Sequence, residues 1–298
     1  MTKRSMPIWA GVLCALCLAA CGAAPAAISG ASGGSSAGSS MPAPPEKFQY
    51  TVTQETQKNS ASAEDGTLLA QCSYQLPVLR AYRGDGTEIA QAQTPAEKKA
   101  LEKASAFNAK FADWAASADF DEMAEWARED YAQSRTPNGV PWNDTCYDAE
   151  LTASVWQTEQ LVSVSAVYYT YTGGAHPNRA LLAWNFDLNA GTFLDPTALG
   201  DEQETFRAAV AAELVRQAKE RAAQAGTEPE TLYWPEYQDL LGKWSDTAVS
   251  FNDAGMTVSY SPYDLACYAA GEQVFTLDWD FLTPYLSDYG RQLLNRPA

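Results

Sequence analysis

The chain has one histidine, His176, in the stretch "YYTYTGGAHPN" (168–178), directly after Gly173, Gly174 and Ala175. A lone imidazole beside glycines can act as a general base, ligate a metal, or close a turn. Base chemistry of the triad type needs a serine or cysteine within reach and a carboxylate behind the ring. Gly-x-Ser-x-Gly occurs twice, from Gly30 to Gly34 and from Gly34 to Gly38. Both copies lie in a Gly/Ser tract without the strand and helix that hold such a nucleophile. Zinc sites draw on several histidines or cysteines at short spacing; with the leader cysteines Cys14, Cys17 and Cys21 set aside, Cys72, Cys146 and Cys267 have no such spacing. Paired carboxylates such as Asp119, Asp121 and Glu122, or Asp278 and Asp280, could flank a glycosidic bond across a cleft. With 37 acidic residues such pairs arise by chance, and they read as solvated surface. Asp187 and Asn189 alternate as in a calcium loop, but Gly191 is at the fifth position and no glutamate is at the twelfth. The reading that remains for His176 is a turn between two strands, with Gly173 and Gly174 allowing positive φ and the ring available to a partner. No catalytic, cofactor-binding or metal site is expected.

Aromatic residues are dense between 142 and 237. Alternate ones must pack inside, and the remainder can anchor an interface. Tyr171, beside the histidine turn, and Tyr233, Trp234 and Tyr237 in "TLYWPEYQDLL" (231–241) are the candidate partner contacts. The 231–241 segment is expected to be exposed. Three cysteines follow residue 21. Cys267 sits in the apolar "DLACYAAG" and reads as buried, which leaves Cys72 and Cys146 as the candidate disulfide.

The elements that would position these residues follow a readable order. Lys3 and Arg4 precede an apolar run, Ile8 to Leu18, and "LAAC" ends at Cys21. This resembles a bacterial lipoprotein signal: residues 1–20 are expected to be removed and Cys21 to carry the lipid. Residues 21–47 then form a Gly/Ser/Ala/Pro-rich tether, with a reach of roughly 25–30 Å. The chain carries a formal charge of −17, and loss of Lys3 and Arg4 takes it to −19. Such a field disfavours nucleic acid and favours cationic partners.

Strand composition at 48–56 and 66–79, with Pro77 ending or bulging the second, is followed by a helix from Thr94-Pro95-Ala96-Glu97 to about Ser117 and another at 119–135. Period-two stretches at 146–157 and 160–172 read as a hairpin, as do 180–188 with 192–196. A long helix ends at Gly226, a short one covers 236–244, a hairpin covers 247–262, and a strand at 273–279 leads into a closing helix at 280–295. No βαβ alternation is evident. The class is α+β, with antiparallel hairpins packed against a few helices, divided into an N-terminal part (48–135) and a C-terminal part (136–298).

"YYTYTGGAHPN", "NFDLNAGTFLD" and "VSYSPYDLACYAAGEQVFTL" (258–277), with the long helix between them, resemble the extracellular domain of unknown function of RsiV-type anti-sigma factors and PdaC-type peptidoglycan deacetylases. Residues 46–135 are similar to the companion domain of the same proteins. Cys267 stands where that family is expected to have proline. Neither the anti-sigma segment nor the histidine-rich deacetylase site has a counterpart here, so the resemblance carries no catalytic residues across. It implies a lipid-anchored extracytoplasmic binding or sensing module, with lysozyme or peptidoglycan as partner. The alternatives are a carboxylate-dependent enzyme acting on wall glycan and a purely structural envelope protein.

Overall fold

A computed structural model describes residues 47–142 and 146–296. The expected signal, Cys21, residues 22–46 of the expected tether and both Gly-x-Ser-x-Gly copies lie outside the described residues. Strands β1 (Gln49–Ser62) and β2 (Leu68–Tyr82) form a long antiparallel hairpin. Pro77 neither ends nor bulges β2; it pairs with Gln54 inside the ladder. Helix α1 (Pro95–Ser117) starts as its sequence dictates: Thr94 caps the Glu97 N–H, and the Glu97 carboxylate returns to the Thr94 N–H. Its Ala100, Ala104, Phe107 and Phe111 recur at three- and four-residue spacing and face the sheet. Helix α2 (Phe120–Ser134) adds Met123, Ala124 and Ala127.

The chain then returns to the sheet with β3 (Tyr147–Gln157), which lies parallel to β2. The fold is α+β with antiparallel sheets and a few helices, as expected, and this helical crossover adds one parallel pairing that the sequence reading lacks. Strands β4 (Leu161–Tyr171), β5 (Asn178–Asp187) and the short β6 (Thr192–Phe193) follow antiparallel, in the order β1-β2-β3-β4-β5-β6. The inner face of this sheet takes α1 and α2. Phe107 meets Phe186 edge-on, Phe111 meets Trp184, and Trp114 meets Tyr74 and Tyr168.

Helix α3 (Gln203–Gln224) buries Phe206, Val210, Leu214 and Ala218 against a second core, and Ala222 one turn further on is buried as well. Two short helices follow, α4 (Pro229–Leu232) and α5 (Tyr237–Gly242). Strands β7 (Ala248–Asn252), β8 (Gly255–Tyr260) and β9 (Gln273–Asp278) form a three-stranded antiparallel sheet. The expected closing helix is divided into α6 (Trp279–Leu282), a 3₁₀ turn at Thr283–Tyr285, and α7 (Asp288–Leu293). Pro284 cannot donate a main-chain hydrogen bond, and Ser287 caps the new start.

The two sheets are fastened by a buried polar bridge on the outer face of the larger one. Ser163 donates to Asn185, Asn185 donates to the Val249 carbonyl, and the Phe251 N–H donates to Ser163, all at 2.8 Å. Every described residue lies in one compact unit, Pro45–Ala298. The expected boundary at 135/136 comes just after α2, and β2 and β3 pair with each other from either side of it. Among the described residues no helix is long and apolar enough to cross a membrane.

Candidate functional site

The turn after β4 places His176. Gly173 and Gly174 have φ of +81° and +103°, conformations that side chains resist. Tyr171 donates from its hydroxyl to the Gly174 carbonyl at 3.2 Å. The Tyr147 ring backs Gly173 and donates to the Asp130 carboxylate on α2, so the turn leans on a helix.

Facing this turn is the loop after β8. Ser261-Pro262-Tyr263-Asp264 closes with an Asp264 N–H to Ser261 carbonyl bond at 3.0 Å. Proline at the second position and φ of +78° at Tyr263 give it the form of a type II turn. The third position of such a turn normally holds glycine or asparagine; here it holds a tyrosine that remains 53% exposed. Trp234 braces the loop from below, its indole N–H donating to the Tyr263 carbonyl and its main-chain N–H to the Leu265 carbonyl, both at 3.0 Å.

The two loops meet through rings. His176 stacks on Tyr268 with centroids 3.8 Å apart and planes 19° apart, and Tyr263 lies 5.6 Å from Tyr268 and 6.3 Å from His176. Nδ1 of His176 is 2.9 Å from the Pro177 carbonyl. A carbonyl only accepts, so this contact assigns the proton to Nδ1 and leaves Nε2 to accept from the Tyr263 hydroxyl at 3.4 Å. Tyr268 donates to the same Pro177 carbonyl at 2.9 Å. Arg179 on β5 pairs with Glu272 at 2.6 Å and ties the two loops a second time.

Carboxylates continue from this cluster along the outer sheet face. Asp148 lies opposite Tyr171 in the ladder, and Glu150 opposite Tyr169. Burial, reinforced by the neighbouring Glu150, holds the Asp148 carboxyl above its ordinary range. Burial raises the Tyr169 hydroxyl as well, and Asp148 adds to it, so Tyr169 stays a neutral donor at physiological pH. The result is a partly exposed shelf of tyrosine and histidine rings beside acidic groups. Rings of this kind attract cations across their faces and bury area at small entropic cost. Among the described residues no group of three or more His, Cys, Asp or Glu could share a metal ion.

The candidates from the sequence divide into two sets. Gly173, Gly174, Tyr171, His176 and Trp234 converge here. Tyr233 and Tyr237 do not: they stack on each other inside the second core, 5% and 1% exposed, so the 231–241 segment is not an exposed aromatic strip. Its apolar rings are needed to close α4 and α5 over α3. Cys72 and Cys146 are free thiols. Cys72 pairs with Ala149, whereas Cys146 precedes Tyr147, the partner of Ala70. Three residues of offset at roughly 3.3 Å each put them about 10 Å apart, beyond disulfide reach. Cys267, expected to be buried, is exposed beside Tyr268 at the start of a 3₁₀ turn. Tyr263 and Tyr268 fall in the 258–277 stretch that carries the resemblance, and Tyr169 among the dense aromatics, but none of them, nor Arg179 or Glu272, is assigned a contact from sequence; the Ser-Pro-Tyr-Asp turn is the signal that points to Tyr263.

Comparison with known proteins is confined to fold and to part of the chain. No curated protein matches it. A crystal structure of a DUF3298 family member from Bacteroides fragilis has a TM-score of 0.53 at 14% identity, covering 83% of this chain and 97% of that one. A DUF3298 family protein from Pseudomonas aeruginosa has a TM-score of 0.41 at 15% identity, covering 80% and 95%. Residues 198–280, which include Trp234, Tyr263, Tyr268 and Glu272 but not the histidine turn, match the family described as "Protein of unknown function (DUF3298)".

Proposed function

We propose that this chain is a binding module of the cell envelope, held by lipid on Cys21, and that the ring-and-carboxylate shelf around His176 receives a cationic protein. The observation that carries this reading is Tyr263, kept half-exposed on a backbone conformation that tyrosine disfavours, next to His176 and Tyr268. Backbone strain of this kind persists where surrounding structure enforces it, and it clusters at ligand contacts. Net charge gives the second support. A chain at −17, or −19 without Lys3 and Arg4, steers basic proteins towards it. The resemblance to RsiV-type domains makes a cationic lysozyme the first partner to test. Peptidoglycan is the second, because a tyrosine face beside the Arg179–Glu272 pair can also stack on sugar and bond its hydroxyls.

Calorimetry of residues 48–298 with a cationic lysozyme, at low and at physiological salt, tests the reading. Expected is stoichiometric binding that survives physiological salt and weakens at least about tenfold in Tyr263→Ala, the loss of one aromatic anchor. Binding that disappears at physiological salt is charge attraction alone and removes lysozyme as the partner. Pull-down on purified peptidoglycan then decides the second case.

A further inference from the structure

Strand β5 has an open edge. Its pairing with β4 covers Asn178 to Asp187, but β6 meets it only at Phe186 and Asp187. Three hydrogen bonds establish which main-chain groups face which side. The Leu188 N–H donates to the Gln160 carbonyl on the β4 side. The Asn185 carbonyl accepts from the Leu194 N–H on the β6 side, and the Leu181 N–H donates to the Ser261 hydroxyl at 3.0 Å on that same side. Alternation along a regular ladder then turns the N–H and C=O of Ala183 to the open side. Among the described residues neither has a partner there.

A groove of about 500 Å³ runs along this edge. Leu181, Leu182, Ala183 and Trp184 all line it. Four consecutive strand residues border one cavity only when the cavity lies against the main-chain edge, since their side chains alternate between faces. Ala248 of β7 with Ser259 and Tyr260 of β8 form the opposite wall. Asp246 and Asp264 stand on the rim against a single Lys243. The same loop that carries Tyr263 therefore supplies both Ser261, which bonds the edge, and Asp264, which charges the rim.

We propose that this edge takes an extended segment of a partner protein bearing lysine or arginine, which adds as a strand beside Leu181–Trp184. Main-chain bonds to Ala183 would hold it, Asp246 and Asp264 would select its charge, and the groove would take alternate side chains. Edge strands left with unpaired groups are templates for such addition unless something covers them. The proposal shares the cationic partner with the function proposed above, and it specifies a second contact for it.

The probe is a blocked Lys-Val-Lys-Val-Lys peptide titrated into residues 48–298 and followed by amide NMR and hydrogen exchange. Expected is a shift and slowed exchange of the Ala183 amide, with a weaker response to Ser-Val-Ser-Val-Ser. Ala183→Pro removes the outward N–H without touching the ladder to β4, a place where an edge strand tolerates proline. It should weaken the peptide about tenfold, the loss of one main-chain hydrogen bond. An unresponsive Ala183 amide overturns the proposal, and this reading on the wild-type protein holds even if the proline variant fails to fold. Equal binding of both peptides removes the charge selection. Ala183 protection that needs no peptide overturns it too: concentration-dependent protection assigns the edge to a second copy, and protection seen only in the full chain assigns it to residues before 47. If lysozyme fails and the peptide protects Ala183, the edge stands and the lysozyme reading falls.

Discussion

Tyr263 occupies the third position of its turn with φ of +78°, a conformation that costs a residue with a Cβ about 1–2 kcal/mol. Glycine there would relieve the strain, less the entropy that glycine loses on folding. Tyr263→Gly should therefore melt at the wild-type temperature or slightly above it, a gain of up to about 1 kcal/mol. Partner binding should fall in the same variant. Gly174→Ala provides the opposite case: at φ of +103° with open space around it, the cost is conformational alone, about 1 kcal/mol. Thermal melts of both variants decide the point. A Tyr263→Gly protein that loses more than about 1 kcal/mol would show that the ring is structural, and its exposure would then carry no functional meaning.

At the scale of elements, α1 depends on one buried carboxylate. Glu97 accepts from the Gln93 N–H at 2.5 Å, the Thr94 N–H at 3.2 Å and the Arg83 guanidinium at 2.6 Å. The Gln93 bond first, and the Arg83 bond second, hold its carboxyl below the ordinary value. A carboxyl whose value is lowered by folding stabilises the native state while ionised. That contribution is complete above the unfolded value, near 4.3, and is lost as pH falls from there through the folded one. Glu97→Gln should lower the melting temperature at pH 7, and the gap from wild type should close as the buffer is taken below about pH 4. A gap that stays constant down to pH 3 would mean that the side chain acts by shape rather than charge. Asp65 belongs to the same acid limb: the Tyr131 hydroxyl, before any other group, holds it down to about 2.

At the scale of the whole molecule, the two cores are joined by a short list of buried polar groups. Asn185 is 4% exposed and Ser163 1% exposed, and between them they satisfy the edge of β7. Asn185→Ala leaves the Val249 carbonyl without a donor, which costs about 1–3 kcal/mol. Because the loops that form the shelf are carried by both sheets, the same variant should weaken partner binding although it touches no partner. Denaturant unfolding and calorimetry on one preparation check both halves. A variant that loses stability but keeps full affinity would show that the shelf is set by the Arg179–Glu272 pair and the His176–Tyr268 stack alone.

Local chemistry in the sequence was enough to place α1, because Thr94, Pro95 and Glu97 act within one turn of chain. It placed the 147–171 and 248–260 hairpins, where period two and short turns are local signals. It marked the histidine turn, because two glycines before one histidine restrict the backbone by themselves. It could not place β3 beside β2, since that parallel pairing depends on where two helices deposit the chain. It misjudged Tyr233 and Tyr237, because an aromatic residue between polar ones reads alike whether it faces water or a core not yet assembled. It paired Cys72 with Cys146 from their number, whereas ladder register sets them apart. The shelf itself is tertiary: His176 and Tyr268 are distant in sequence, and they stack only because the outer face of one sheet carries the other. The open edge of β5 is tertiary for the same reason, since a strand has an edge only once its neighbours are known.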